Sequence, residues 1–386
     1  MKRVFIRQQA GLFAALAFLL IFPAMIWGDD GDEHRVDQLQ LGTSGGNIND
    51  ISKGFCYGGT LGALVQDANS VQYILSNNHV LARTNAAAIG EDIIQPGLID
   101  QSPACFKDAN DVVADLSAFV RIGFKSKRTI PLNSVDAAIA QVRAGALDPT
   151  GSILDIGVIS SATLAPSLGR EVKKSGRTSG LTHGTISSVN VTVDVSYGSG
   201  KTARFINQMF ISPGSFIASG DSGSVAVEDV ETSPRAVGLL FAGSSSVAVG
   251  SPINAVFNAF KPSITLSMLG NPAPAPSQSS LLDKAFAWVM RLWRVSDSHA
   301  ATPDLPGQAD PAAVDAVRRV KEKHEGRLMN IPGVVGVGVG LSEAQLEKPV
   351  IEVYVKSASD QVRRSVPASL EGVAVKIVET GEIRAY

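Results

Sequence analysis

Three residues of this chain have the types needed to turn a hydroxyl into a nucleophile. They are His79 in Ser76-Asn77-Asn78-His79-Val80, Asp136 in Val135-Asp136-Ala137-Ala138-Ile139-Ala140, and Ser222 in Gly220-Asp221-Ser222-Gly223-Ser224. A serine hydroxyl is a poor nucleophile near neutral pH. It needs an imidazole to take its proton and a carboxylate to hold that imidazole in the right tautomer. Taken alone, the Gly-Asp-Ser-Gly stretch has an ordinary turn as its alternative reading, and a lone histidine or aspartate is more often structural. The local contexts argue for more. His79 follows an apolar strand pattern and a pair of asparagines, so it sits at a strand end. Asp136 opens an apolar run, where burial obliges its charge to find a partner. The order His, Asp, Ser is itself one of the few orders in which such a triad occurs.

The elements that must position these residues are short strands. Gly58–Val65 and Val71–Leu75 are apolar runs split by a polar turn, the pattern of a hairpin. Similar runs recur at Val135–Val142, Thr185–Val195, Arg204–Ile211, Val225–Glu228 and Ala236–Ala242, with no long helical period between them. Many short strands over this length predict an all-β sandwich or barrel across residues 51–268, after a polar, glycine-rich lead-in at 29–50. With 386 residues the chain has room for more than this unit. Residues 269–312 read as a Pro-rich linker holding a dense apolar and basic stretch at Leu281–Val295. That stretch fits either a helix packed on a neighbouring domain or one lying on a membrane surface. Residues 313–386 read as α-β-β-α-β, a small α+β domain, with Pro311 opening the first helix. Ile331–Gly340 is glycine-rich but lacks the Lys-Ser/Thr ending of a phosphate loop, so its alternation reads as a strand.

Composition narrows the partners. A formal net charge of −2 gives no global basic field for nucleic acid. Residues 1–28 carry Lys2, Arg3 and Arg7 ahead of an apolar run broken by Pro23, the layout of a secretory signal, with an uncleaved membrane anchor as the rival. Either reading puts the bulk of the chain outside the cytoplasm, secreted or periplasmic. The two cysteines, Cys56 and Cys105, then suggest a disulfide, with two buried free thiols as the alternative. The five histidines are scattered, and we expect neither a metal nor a cofactor.

These motifs resemble the chymotrypsin-fold (trypsin-like) serine proteases over roughly residues 54–265. Val172–Ile186 resembles bacterial secreted members of the streptogrisin type, Tyr73–Val80 the histidine motif of HtrA-type proteases, and Phe55–Leu61 a trypsin strand. The resemblance implies two six-stranded β-barrels with the site in the cleft between them. It implies a secreted serine endopeptidase acting on protein or peptide substrates through an acyl-enzyme. His79 would be general base, Asp136 its orienter and Ser222 the nucleophile. The backbone N–H groups of Gly220 and Ser222 would form the oxyanion hole. Phe216 would lie at the floor of the specificity pocket, and Phe241, Ala242 and Gly243 would form the strand that pairs with substrate. With no acidic residue at the floor, a small or apolar side chain is expected before the cut.

The chain also departs from that family. Val80 stands where many members have cysteine. Lys173 and His183 replace a cysteine pair near the second barrel, so His183 is read as structural. If Cys56 bridges, it must reach Cys105, an unusual pairing. Phe241 stands where a serine usually supports the aspartate, which leaves the outer support of Asp136 open. Asp221 needs a partner, expected to be Arg177 or backbone groups. The C-terminal domain looks like a small module found beside trypsin-like domains in some bacterial and plant proteins, and its element order does not resemble a PDZ domain. That likeness leaves three roles open: a folding aid, an inhibitory cap on the protease domain, or a protein-binding module. Two other functions remain in view: a triad-bearing scaffold with weak or no hydrolysis, and a membrane-anchored HtrA-like quality-control protease.

Overall fold

The structure, a computed structural model, describes residues 40–52, 54–272, 309–342 and 348–386. The predicted signal segment and the predicted helix at 281–295 lie outside the described residues. Among the described residues, no helix is long and apolar enough to cross a membrane.

The first barrel is built from β1 (Thr43–Asn47), β4 (Gly59–Leu61), β5 (Ala63–Gln66), β6 (Gln72–Ser76), β7 (Asp92–Ile94), β8 (Val112–Phe119) and β10 (Ala138–Val142). Two-residue strands β2 (Ile51–Ser52) and β3 (Phe55–Cys56) pair beside it. The expected hairpin is β5–β6, whose turn is closed by the Asp67 carboxylate accepting from the Asn69 and Val71 N–H groups at 2.8 and 2.9 Å. Pairing runs β5-β6-β10-β8-β7-β1-β4, and β4 leads straight into β5, so the sheet curls into a ring. Its interior is an apolar cluster that includes Leu61, Leu64, Ile74, Leu75, Ile93 and Ile139.

The second barrel contains β11 (Glu171–Lys174), β12 (Thr182–Ser196), β13 (Thr202–Ser212), β14 (Val225–Glu228), β15 (Ala236–Gly243) and β16 (Ala248–Pro252). The pairing β12-β11-β14-β15-β16-β13 closes through a further β12–β13 ladder. The short β9 (Leu132–Asn133) joins β13 in parallel. With β4 and β5, separated only by Gly62, counted as one interrupted strand, the chain is all-β with two six-stranded barrels, together with a small α+β piece.

Two expectations need correction. The lead-in at 29–50 is not loose throughout, because Thr43–Asn47 is a buried strand paired with β4 and β7. Its short polar side chains are satisfied inside: Asn47 donates to the Leu81 carbonyl at 2.8 Å, and Ser44 bonds Asp100. A helix is also present where none was expected. Ile253, Val256, Phe257 and Phe260 form the buried face of a helix at Ile253–Phe260, and β17 (Ser267–Met268) then returns to pair with β5 of the first barrel.

Cys56 and Cys105 form a disulfide, with Cα atoms 5.4 Å apart. The cysteines lie with Ile94, Leu98 and Val112 in a small apolar cluster.

The C-terminal piece has helices at Pro311–Leu328 and Asp360–Ser365, and strands β18 (Val334–Leu341), β19 (Pro349–Val355), β20 (Ser369–Leu370), β21 (Val373–Glu379) and β22 (Arg384–Ala385). Pro311 occupies the first turn, and Asp310 caps it by accepting from the Ala312 N–H at 3.0 Å. The piece does not stand apart as a separate sheet. β18 pairs with β12, giving one continuous sheet in the order β20-β21-β19-β18-β12. At the junction the buried Glu352 carboxylate accepts from Ser188 at 2.5 Å and Tyr354 at 2.6 Å, and from Lys376 at 3.2 Å.

Two barrel strands overshoot their short neighbours. β11 pairs with β12 only as far as Thr185, and β18 takes the same edge from Ser188 to Val193. β14 pairs with β15 only as far as Leu239, and β22 takes the same edge at Ala242 and Gly243. Both continuations come from the C-terminal piece.

Candidate active site

A cleft of about 450 Å³ between the barrels is lined by residues from both, including His79, Tyr197 and Gly220. From the first barrel comes His79, on a single helical turn at Asn78–Leu81 that follows β6. The two preceding asparagine-type anchors explain its placement. Asn77 donates to the Asp136 carbonyl at 2.7 Å, and Asn78 donates to the Val120 carbonyl at 2.6 Å. Asp136, fully buried, sits just ahead of β10. Its carboxylate lies 2.6 Å from His79 Nδ1 and accepts the His79 backbone N–H at 3.2 Å.

Sequence reasoning missed the third partner of Asp136. The Tyr197 hydroxyl donates to Asp136 Oδ2 at 2.7 Å. Tyr197 begins the turn between β12 and β13, and its ring meets Phe124 edge-on and stacks on Phe205. Burial and the Asp136 charge raise the Tyr197 pKa well above its ordinary value, so the hydroxyl stays a neutral donor. Phe241 explains the need. Its ring packs on Phe205 with centroids 4.7 Å apart, so that position offers Asp136 no hydroxyl. The apolar residue at 241 was the available signal that support must arrive from elsewhere.

From the second barrel comes the loop Ser219–Gly223. Gly220 has φ +102°, and a side chain there would strike Thr178 and Arg177, so only glycine fits. Among the described residues, no protein acceptor takes the N–H of Gly220 or Ser222. The loop is held by Asp221, whose carboxylate accepts from the Thr178, Ser179 and Ala218 N–H groups at 2.8, 3.1 and 2.8 Å, and from the Ser179 hydroxyl at 2.5 Å. Lys174 Nζ stands 3.2 Å from it, both side chains fully buried. Burial alone would raise the Asp221 pKa, but Lys174 and these donors outweigh it and the net direction is down. The expected backbone partners are thus present, but the cation against Asp221 is Lys174. Arg177 turns its guanidinium to Asp100.

Ser222 is fully buried, and its hydroxyl donates to the Phe241 carbonyl at 3.1 Å. His79 Nε2 lies 2.9 Å from the carbonyl oxygen of Tyr386. Tyr386 N–H in turn points to the Phe241 carbonyl at 3.4 Å. His79 thus meets Tyr386 directly, Ser222 shares the Phe241 carbonyl with Tyr386, and His79 and Ser222 are not bonded to each other. Burial pulls the His79 pKa down, but the Asp136 charge, the Asp136 hydrogen bond and the Tyr386 carbonyl outweigh it, and the pKa is raised. Asp50 lines the same cleft, and burial lifts its carboxyl to about 6 against the opposing pull of Arg83 and His79.

The predicted substrate-binding residues fall on the second-barrel wall. Phe216 is fully buried in an apolar cluster with Ile217. Ala242 and Gly243 lie on β15 opposite Ala385 and Arg384. His183 is exposed on β12, 2.7 Å from Asp229, and its ladder neighbour Lys173 donates to the Val230 carbonyl at 2.7 Å.

An imidazole bonded to a buried carboxylate, a nearby serine and two open N–H groups can in principle activate a hydroxyl and stabilise an oxyanion. A family model described as the Nal1 C-terminal domain matches residues 119–250, a span that includes Asp136 and Ser222 but not His79. No curated protein matches the chain. Among solved structures, a glutamic acid-specific serine protease is similar at 20% identity and TM-score 0.41, covering 60% of this chain and 100% of its own. A Nocardiopsis protease is similar at 16% and 0.38, covering 60% and 98%. The chymotrypsin of Cellulomonas bogoriensis is similar at 16% and 0.39, covering 61% and 100%.

Proposed function

We propose that the chain is a serine endopeptidase that works outside the cytoplasm on protein or peptide substrates. The supporting observation is one cleft between two barrels, lined on one side by His79, bonded to buried Asp136, and on the other by Ser219 and Gly220 of the loop that carries Ser222 and two open N–H groups. In this reading Ser222 Oγ attacks the scissile carbonyl while His79 Nε2 takes its proton. The N–H groups of Gly220 and Ser222 hold the oxyanion. His79 then returns the proton to the leaving amine, and water releases the acyl group by the same steps in reverse. Asp136, held by His79 and Tyr197, keeps the imidazole in the tautomer that presents Nε2.

The test is labelling of the purified protein with a fluorophosphonate, beside Ser222→Ala. Labelling of the wild type alone is expected. Labelling of neither, and none in a chain shortened to Ile383, would sink the peptidase reading. A second reading, a scaffold with weak or no hydrolysis, is favoured by the absence of a bond between Ser222 and His79, each of which is engaged elsewhere. A scaffold would keep its cellular role as Ser222→Ala, whereas an enzyme would lose it.

A further inference from the structure

We propose that the segment Arg384–Tyr386 occupies the substrate groove of its own chain as a pseudosubstrate, and that the site accepts peptides with an aromatic residue immediately before the cut. This rests on the peptidase reading of the cleft. The backbone pairing carries the first half. β15 is buried along its whole length, although β14 covers its edge only as far as Leu239. The remainder of that edge is covered by β22, antiparallel, with Ala242 opposite Ala385 and Gly243 opposite Arg384. An extended peptide added to a sheet edge is how such grooves bind chains with little sequence choice. The segment then ends its run at the chemistry. Tyr386 N–H meets the Phe241 carbonyl, which also accepts the Ser222 hydroxyl, and the Tyr386 carbonyl oxygen lies on His79 Nε2. Tyr386 therefore stands where the residue before the cut would stand.

The side chains carry the second half. The Tyr386 ring packs against the apolar cluster of Phe216 and Ile217. It lies so close to Gly243 that a Cβ there would come within 2.9 Å of the ring, so glycine at 243 is what admits an aromatic group. Arg384 is exposed and pairs with Glu382, so its side chain adds little selectivity. Ile383, fully buried beside Phe241 and Phe205, anchors the segment, and its carbonyl accepts the Ser196 N–H at 2.9 Å. Such tethering keeps a weak ligand at an effective concentration of about millimolar, enough to hold the groove closed to competitors.

The experiment uses Ser222→Ala protein, so that binding is read without turnover. Acetyl-Arg-Ala-Tyr is titrated by calorimetry into the full chain and into a chain ending at Ile383. Binding to the shortened chain and not to the full one is expected, with acetyl-Arg-Ala-Lys at least about tenfold weaker. Tyr386→Gly in the full chain is the second variant, expected to weaken the hold of β22 so that the peptide displaces it and binds. Binding to both chains, or to neither shortened nor Tyr386→Gly protein, would overturn the occupancy. Equal binding of the lysine peptide would overturn the aromatic preference. The same deletion on a Ser222 background is expected to speed fluorophosphonate labelling. Peptide binding without any labelling would sink the peptidase reading and leave the occupied groove standing.

Discussion

Two carboxylates are fully buried, Asp136 beside the first barrel and Asp221 in a loop of the second, and the fold treats them in opposite ways. Asp136 meets a histidine, a tyrosine hydroxyl and a backbone N–H, with no lysine or arginine among its hydrogen-bond partners. Asp221 meets a buried lysine and four N–H or O–H donors. The first charge is left available to act on His79, and the second is neutralised to clamp a loop. Burial says only that a charge must be satisfied; the identity of its partners says whether it is poised or locked. An exposed pair, His183 with Asp229, shows the third case, in which solvent does most of the work.

Substitutions can break this contrast. Asp136→Asn is expected to lower kcat/KM on a peptide substrate by about 10⁴-fold through the wrong imidazole tautomer, with a much smaller change in unfolding free energy. Asp221→Asn is expected to do the reverse first. It strands the Lys174 ammonium and should cost about 3–5 kcal/mol in urea unfolding, with activity lost as a consequence. If Asp221→Asn left stability intact, the clamp reading would be wrong. Tyr197→Phe should lower kcat about tenfold at constant KM, the scale of one hydrogen bond to a charged group. It should also move the acid limb of activity to higher pH, because an Asp136 without its donor holds the His79 proton harder.

The pH profile sharpens the same point. The folded pKa of His79 is raised, so catalysis, which needs the neutral imidazole, should set in above the ordinary histidine value of about 6.5. The stability His79⁺ contributes is fully present below the unfolded value and is lost as pH rises through the folded one. Asp136, Asp50 and Tyr197 face the ring from the neighbouring elements, so Asp50→Asn is the control that separates their contributions. The smallest effect belongs to His183→Ala, expected within about 0.5 kcal/mol of wild type by thermal unfolding.

Much of this was legible in the residues. Val225–Glu228 coincides with its expected span, because its short apolar run announces it, and the C-terminal piece opens at Pro311 as expected. β1 was hidden because Thr-Ser-Gly-Gly-Asn has no apolar side chain, and its burial depends on hydrogen bonds made far along the chain. Tyr197 was hidden because it sits at a hairpin turn 61 positions beyond Asp136 in sequence. The helix at Ile253–Phe260 carried a clear signal, with its buried residues spaced at helical intervals, and was overlooked. The last strand offered no pattern at all. Two residues paired to β15 acquire their meaning only from what the groove leaves uncovered.

The overshoot of β12 past β11 bears on how the molecule can be divided. Removing residues 309–386 would bare the N–H and C=O groups of Ser188–Val193, now taken by β18, along with the apolar faces of Val191 and Val193. An open edge of that kind is a template for pairing with another copy. The shortened barrels should therefore gather into oligomers or precipitate rather than remain as a tidy protease-sized core, an outcome that size-exclusion chromatography reads directly.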